Sequence, residues 1–293
     1  MKDAFLKLSQ SLIFTLTIAC VAALTLFFLP TTTEFFEYNK FSLILVFSIA
    51  GFVIWAGKML IEKRTVLTRT PLDLPIIILL GVYLIASYAS IDQFISLFGN
   101  HGRIWPGFIP LLVLASLYFL ISSNLKTRRH VNLAIWATII ATTLAAAVAI
   151  ISYFGIYLPF DFAQIRSFNT LGIVNRLALL EALILPLSIS IAIYDKDKTS
   201  RAIASAATII LAFSFVLVNF LPAYIGLIFS IIFLGLGTLK VKLTKSQQGH
   251  ALILGLVLAL FLVIRFVPQV ANGTLYQWIG KKEGGLTEQQ QID

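Results

Sequence analysis

Apolar runs of about 20 residues follow one another along almost the whole chain, and this succession limits what it can fold into. A helix rises about 1.5 Å per residue, so about 20 apolar residues cross a hydrocarbon core of about 30 Å. Segments that meet this length, give or take a turn, are 10–29, 41–60, 73–91, 105–122, 131–155, 175–194, 202–219, 222–239 and 250–268. In lipid every backbone N–H and C=O must be satisfied inside the protein, and a helix does this within one segment. The expected fold is all-α, a polytopic transmembrane helical bundle of about nine helices over residues 1–268. The polar residues 269–293 then form an extracytoplasmic tail, read as the start of a loop.

Composition points the same way. The chain is 59% hydrophobic and 12% charged, where soluble domains are about 45–50% apolar and about 25% charged. Too little polar surface remains to cover a water-soluble body. Two places are open in this reading. Only Phe220 and Leu221, followed by Pro222, separate the seventh and eighth segments, which form either a tight hairpin or one kinked helix. The stretch from Phe160 to Asn175 is short and irregular enough to hold re-entrant structure.

The net charge is +9, and its placement decides what it means. With nine crossings the connecting segments alternate sides. One side receives Lys2, Lys7, Lys58, Lys63, Arg64, Arg69, Lys126, Arg128, Arg129, Lys196, Lys198, Arg201, Lys240, Lys242 and Lys245. The other side and the helix ends beside it hold Lys40, Arg103, Arg166, Arg176, Arg265, Lys281 and Lys282. Lys and Arg concentrate in cytoplasmic loops, so the N-terminus is expected in the cytoplasm and the C-terminus outside. The positive charge then reflects topology and attraction to anionic lipid, not nucleic acid. The single cysteine, Cys20, excludes an intrachain disulfide and a cysteine metal cluster. No spacing matches a metal site, P-loop, dinucleotide fold or hydrolase elbow, and no cofactor is expected.

Three features stand out on the extracytoplasmic side. The first is the loop from Ser96 to Gly107, with Gly99, His101, Gly102, Arg103 and Trp105. Glycines let backbone amides approach a ligand, and Arg103 can fork onto a phosphate. The same residues also suit an interfacial turn with a snorkelling Arg103 and a belt Trp105. His101 is the one histidine on that side that could act as a base. The second feature is the stretch from Arg166 to Arg176, which includes Asn175 and leads into an apolar helix. Helix N-termini attract anions, so the two arginines could hold a diphosphate; the alternative is a solvated Arg166 and a snorkelling Arg176. The third is Glu181, one to two turns inside the sixth segment. A carboxylate there is costly, so it is paired, protonated or functional. Five residues from Arg176, it sits on another face, so any partner comes from a different helix.

Four stretches resemble the O-antigen ligase and polymerase family of bacterial membrane glycosyltransferases. They are Thr70-Pro71-Leu72-Asp73-Leu74-Pro75, then Ser90-Ile91-Asp92, then Ser96-Leu97-Phe98-Gly99 with Gly102-Arg103, and Arg166 to Ala178 followed by Pro186. The likeness spans roughly residues 70–240. Asn169 and Ile173-Val174 depart from the family pattern, and Asn219 to Ala223 lacks its usual basic turn. The resemblance implies a bacterial inner-membrane protein that transfers a glycan from a polyprenyl diphosphate carrier to an acceptor hydroxyl. It implies Arg103, Arg166, Arg176 and Asn175 at the diphosphate or glycan, and Glu181 or His101 as acid or base. Family members carry a long catalytic loop after about nine helices, so this chain is expected to match their N-terminal portion. A solute or bicarbonate transporter, or a non-catalytic membrane partner, is the competing expectation.

Overall fold

The computed structural model describes residues 2–30, 35–63, 67–100, 104–125, 127–238 and 244–266. These residues contain helices and no strand. The helices are α1 (Lys2–Leu26), α2 (Glu37–Glu62), α3 (Asp73–Tyr88), α4 (Gln93–Phe98) and α5 (Phe108–Asn124). After them come α6 (Arg128–Tyr153), α7 (Val174–Tyr194), α8 (Lys198–Val218), α9 (Leu221–Thr238) and α10 (Lys245–Phe266). Each apolar run falls on one helix; α4 is the additional element.

Among the described residues, five helices are long and apolar enough to cross a membrane: α1, α2, α6, α7 and α8. The chain is a multi-pass membrane protein. The expected count of nine crossings is not matched by this measure, and for α3 and α5 helix length is the reason. α3 has 16 residues and α5 has 17, spanning about 24–26 Å at about 1.5 Å per residue. The run at 73–91 counted a turn, because Ala89 and Ser90 close onto Ile85 and Ser87 after the helix ends. The run at 105–122 counted Trp105 and Pro106, which lie in a turn before Phe108.

The chain forms two compact units, Met1–Leu177 and Ala178–Asp293. In the first, α1 packs on α2, α5 and α6, α2 packs on α5, and α3 and α4 pack on α5. Ile13, Trp55 and Leu120 form a core flanked by Phe52, Ile54, Met59 and Leu117. Gly51 lets α2 approach α5, since a Cβ there would overlap the Leu120 side chain. At one end of this unit, Lys58 donates to Gln10 Oε1 at 2.6 Å and Asn124 Oδ1 at 3.3 Å. Gln10 in turn donates to the Asn124 carbonyl at 2.6 Å. The start of α1 and the ends of α2 and α5 therefore share one end, as alternating helices require.

In the second unit, α8 packs against α10. The short link after Tyr194 returns α8 along α7, and Thr208 donates to Ser188 across the pair at 3.0 Å. Ala178, Ala182, Ala192, Ala204 and Ala207 are buried on these two helices. Small residues let membrane helices pack closely where the hydrophobic effect does not drive association. The open boundary between the seventh and eighth runs resolves into two helices. Asn219 ends α8 in the left-handed region at φ +55°, and α9 begins at Leu221.

Many hydroxyls in the helices turn back on their own backbone, as Thr17 does to the Ile13 carbonyl and Thr142 to that of Thr138. This satisfies them without water. Large apolar side chains cover the outside; Leu74, Ile77, Ile78, Val82 and Ile85 of α3 are all more than half exposed. In water such a face would be a liability; in lipid it is the solvated surface.

Candidate functional site

The stretch between α6 and α7 is built by turns. Gly155 leaves α6 at φ +88°, and a 3-10 turn follows at Asp161–Ala163. The side chain of Asn169 then accepts from the Leu171 N–H at 3.0 Å. The Gly172 N–H donates to the Asn169 carbonyl at 3.2 Å, and Gly172 takes φ +94°. Its missing side chain matters twice, because a Cβ would also lie 2.9 Å from the Phe36 ring. This irregular segment sits in a phenylalanine cluster. Phe162 stacks on Phe35 at 4.2 Å between centroids, and Phe28 meets Phe168 edge-on at 5.7 Å.

Polar bonds tie the segment to the ends of α1 and α2. The buried Lys40 ammonium donates to the Thr170 carbonyl at 2.7 Å. The Thr170 hydroxyl donates to the Thr25 carbonyl at 2.8 Å. Arg176 Nη2 forms an ion pair with Glu37 Oε1. Arg176 thus neither snorkels alone nor stands free: a carboxylate on α2 orients it. Its side chain keeps 38% exposure while that of Glu37 keeps 7%. Arg166 is half-buried in the same segment, and Asn175 is exposed in the first turn of α7.

Sequence reasoning placed Lys40 only among the charges of the outer side and gave Glu37 no role. The available signal was their spacing: three residues apart in the first turn of α2, they occupy one helix face.

His101 and Arg103 lie outside the described residues, but the ends of their loop are fixed. Asp92 caps α4 by accepting from the Ile95 N–H at 3.0 Å. Gly99 takes φ +85°, and a Cβ there would lie 2.6 Å from Ile104 Cα. A Cβ on Gly107 would lie 2.6 Å from the Gly99 nitrogen. The two glycines let the loop's strands of backbone touch. Trp105 meets Phe41 edge-on at 6.1 Å, so the loop returns onto α2 one residue beyond Lys40.

The Thr70 to Pro75 element is a helix start. Thr70 donates from its N–H to Asp73 Oδ2 at 2.9 Å and from its hydroxyl to Oδ1 at 2.7 Å. Tyr118 of α5 donates to Asp73 Oδ1 at 3.1 Å. The element anchors α3 to α5.

Glu181 belongs to the second unit and is fully buried. Neither carboxylate oxygen makes a hydrogen bond among the described residues. No group of three or more metal-ligating side chains occurs among the described residues. Comparison with family models, curated proteins and solved structures finds no match. The fold and these residues define a multi-pass α-helical membrane protein with a built polar site at one end of its first unit.

Proposed function

We propose that this protein is an O-antigen ligase-like component of bacterial cell-surface glycan synthesis, acting on a polyprenyl diphosphate-linked glycan at the inner membrane. Arg166 and Arg176, with Asn175, receive the diphosphate at the outer end of the bundle. The orientation is N-terminus inside, with nine crossings that include the shorter α3, α5 and α9 and also α10. The C-terminal tail of this topology lies outside the described residues.

The observation that carries the reading is the anchoring of Arg176. A guanidinium held by Glu37 through one nitrogen keeps other N–H donors for an anion, at the N-terminus of a helix whose dipole favours negative charge. Preset donors of this kind stabilise charge on a leaving diphosphate without a metal. His101 and Arg103 are the loop residues that would complete such a site. Replacing Arg166 by Ala should abolish glycan transfer in cells that depend on the protein. Unchanged transfer by a variant of normal membrane abundance would refute the role.

One observation favours a second reading, a solute transporter. Glu181 is fully buried with its carboxylate unbonded among described residues, and buried carboxylates in membranes mark proton or ion paths. Loss of function in Glu181→Gln, with Arg166→Ala active, would select it.

A further inference from the structure

The segment that follows α6 carries an apolar surface on both of its sides. Its inner side is packed. Phe162 stacks on Phe160 at 5.8 Å between centroids, and Phe160 meets Phe28 edge-on at 6.1 Å. Ala163 and Phe168 are buried with them. On the outer side Phe154 is 49%, Ile156 68% and Ile165 52% exposed, and Tyr157 and Pro159 are exposed between them. Apolar side chains gathered in so short a stretch mark an interaction surface, where a solvated loop would be polar.

The backbone sets the depth at which this surface can sit. Gly155 turns the chain out of α6 at φ +88°. The Gly155 and Ile156 N–H groups donate back to the Ser152 and Ile151 carbonyls at 3.0 and 3.1 Å. Beyond that turn the Tyr157 and Leu158 N–H groups find no backbone partner among the described residues. Hydrocarbon would leave such groups unsatisfied, so irregular backbone facing lipid stays out of the membrane core. Asp161 and Gln164 are exposed on the same stretch and also need water or headgroups. Yet the segment cannot stand far from lipid. α6 is long and apolar enough to cross the membrane and ends at Tyr153, so the stretch begins where that crossing ends.

The boundary between headgroups and acyl chains meets every one of these demands. Backbone and polar side chains stay hydrated there, while apolar side chains dip inward by about 5–10 Å. Tyrosine favours the same level. Residues 154–165 contain no Lys or Arg, so the attraction is to the apolar boundary and not to anionic headgroups. We propose that residues 154–165 are a lipid-binding surface lying in the membrane interface, with Phe154, Ile156, Tyr157 and Ile165 inserted at the acyl boundary. The inference goes beyond the proposed function and needs no diphosphate: a failed Arg166→Ala test would leave this surface standing.

The test measures depth in the full chain in phosphatidylcholine nanodiscs. Cys20 is buried, so a nitroxide is attached at Ile156→Cys, Ile165→Cys or Gln164→Cys, with the parent chain as the labelling blank. Power saturation compares collisions with oxygen, which partitions into lipid, and with a water-soluble nickel chelate. The oxygen-to-chelate ratio at Ile156→Cys and Ile165→Cys should exceed that at Gln164→Cys by about threefold or more, as insertion by about 5–10 Å implies. Adding phosphatidylglycerol should leave these ratios unchanged. Chelate collisions at Ile156→Cys and Ile165→Cys as frequent as at Gln164→Cys overturn the proposal, because no apolar side then dips below the polar one. Exclusion of both oxygen and chelate from the two isoleucine positions overturns it too, because protein then covers them. A ratio that rises only with the anionic lipid overturns the apolar basis of the contact. Should Ile156→Cys fail to reach the membrane, Phe154→Cys reads the same surface and carries the same outcomes.

Discussion

Replacing Lys40 by Met removes the bond from its ammonium to the Arg166–Arg176 segment. Met keeps much of the side-chain volume and removes the ammonium. The Thr170 carbonyl then loses a donor at 2.7 Å in a buried setting, where Thr170 is 4% and Lys40 8% exposed. A hydrogen bond to a charged group contributes about 1.5–3 kcal/mol, and an unsatisfied buried acceptor costs a similar amount. At an RT of about 0.59 kcal/mol, this raises the population of the opened segment by about 10- to 150-fold. Hydrogen exchange of the full chain in nanodiscs reads the effect at the Leu171 and Gly172 amides. These amides bond to Asn169 within the turn. Exchange there should accelerate by that factor in Lys40→Met. Lys58→Met, at the opposite end of the unit, should leave both amides as they were. Exchange within about twofold of the parent in a folded Lys40→Met protein would refute the claim that Lys40 holds the segment.

Two further outcomes follow from local geometry. Asn219→Val should lower stability by about 1–2 kcal/mol, because a β-branched residue is forced to a positive φ; Asn219→Gly should not, and thermal unfolding in detergent compares them. Asp197 caps α8, and its bond from the Ser200 N–H holds its carboxyl below the usual range. A lowered folded value adds stability above the ordinary carboxylate range and loses it as pH falls through the lowered value. The first turn of α8 should therefore exchange faster on acidification, and Asp197→Asn should remove that dependence.

The helices were legible because each apolar run is long and the membrane leaves the backbone few alternatives. Their ends were less legible: Ser90 and Trp105 are apolar-compatible neighbours of α3 and α5 yet sit in turns. α4 has no sequence signature, because Gln93–Phe98 is too short to show a period. The irregular stretch from Phe160 to Asn175 was visible as irregular, while its anchors were not. Lys40 and Thr170 lie 130 residues apart, and no local pattern couples them. On sequence Arg176 is either ligand-binding or snorkelling, and no local pattern points to Glu37, its partner 139 residues away. Ser90 and Ser96 stand in two of the resembling stretches, and only the turn after α3 brings them together with Ser87.

The central claim is that Arg166 and the anchored Arg176 receive a polyprenyl diphosphate. The most direct measurement is equilibrium binding of that lipid, with the polyprenyl monophosphate as comparison, to the full chain in nanodiscs. The account predicts tighter binding of the diphosphate, and loss of that preference by about tenfold or more in Arg166→Ala and Arg176→Ala. Equal binding of the two lipids, or a preference unchanged in both variants, would contradict it.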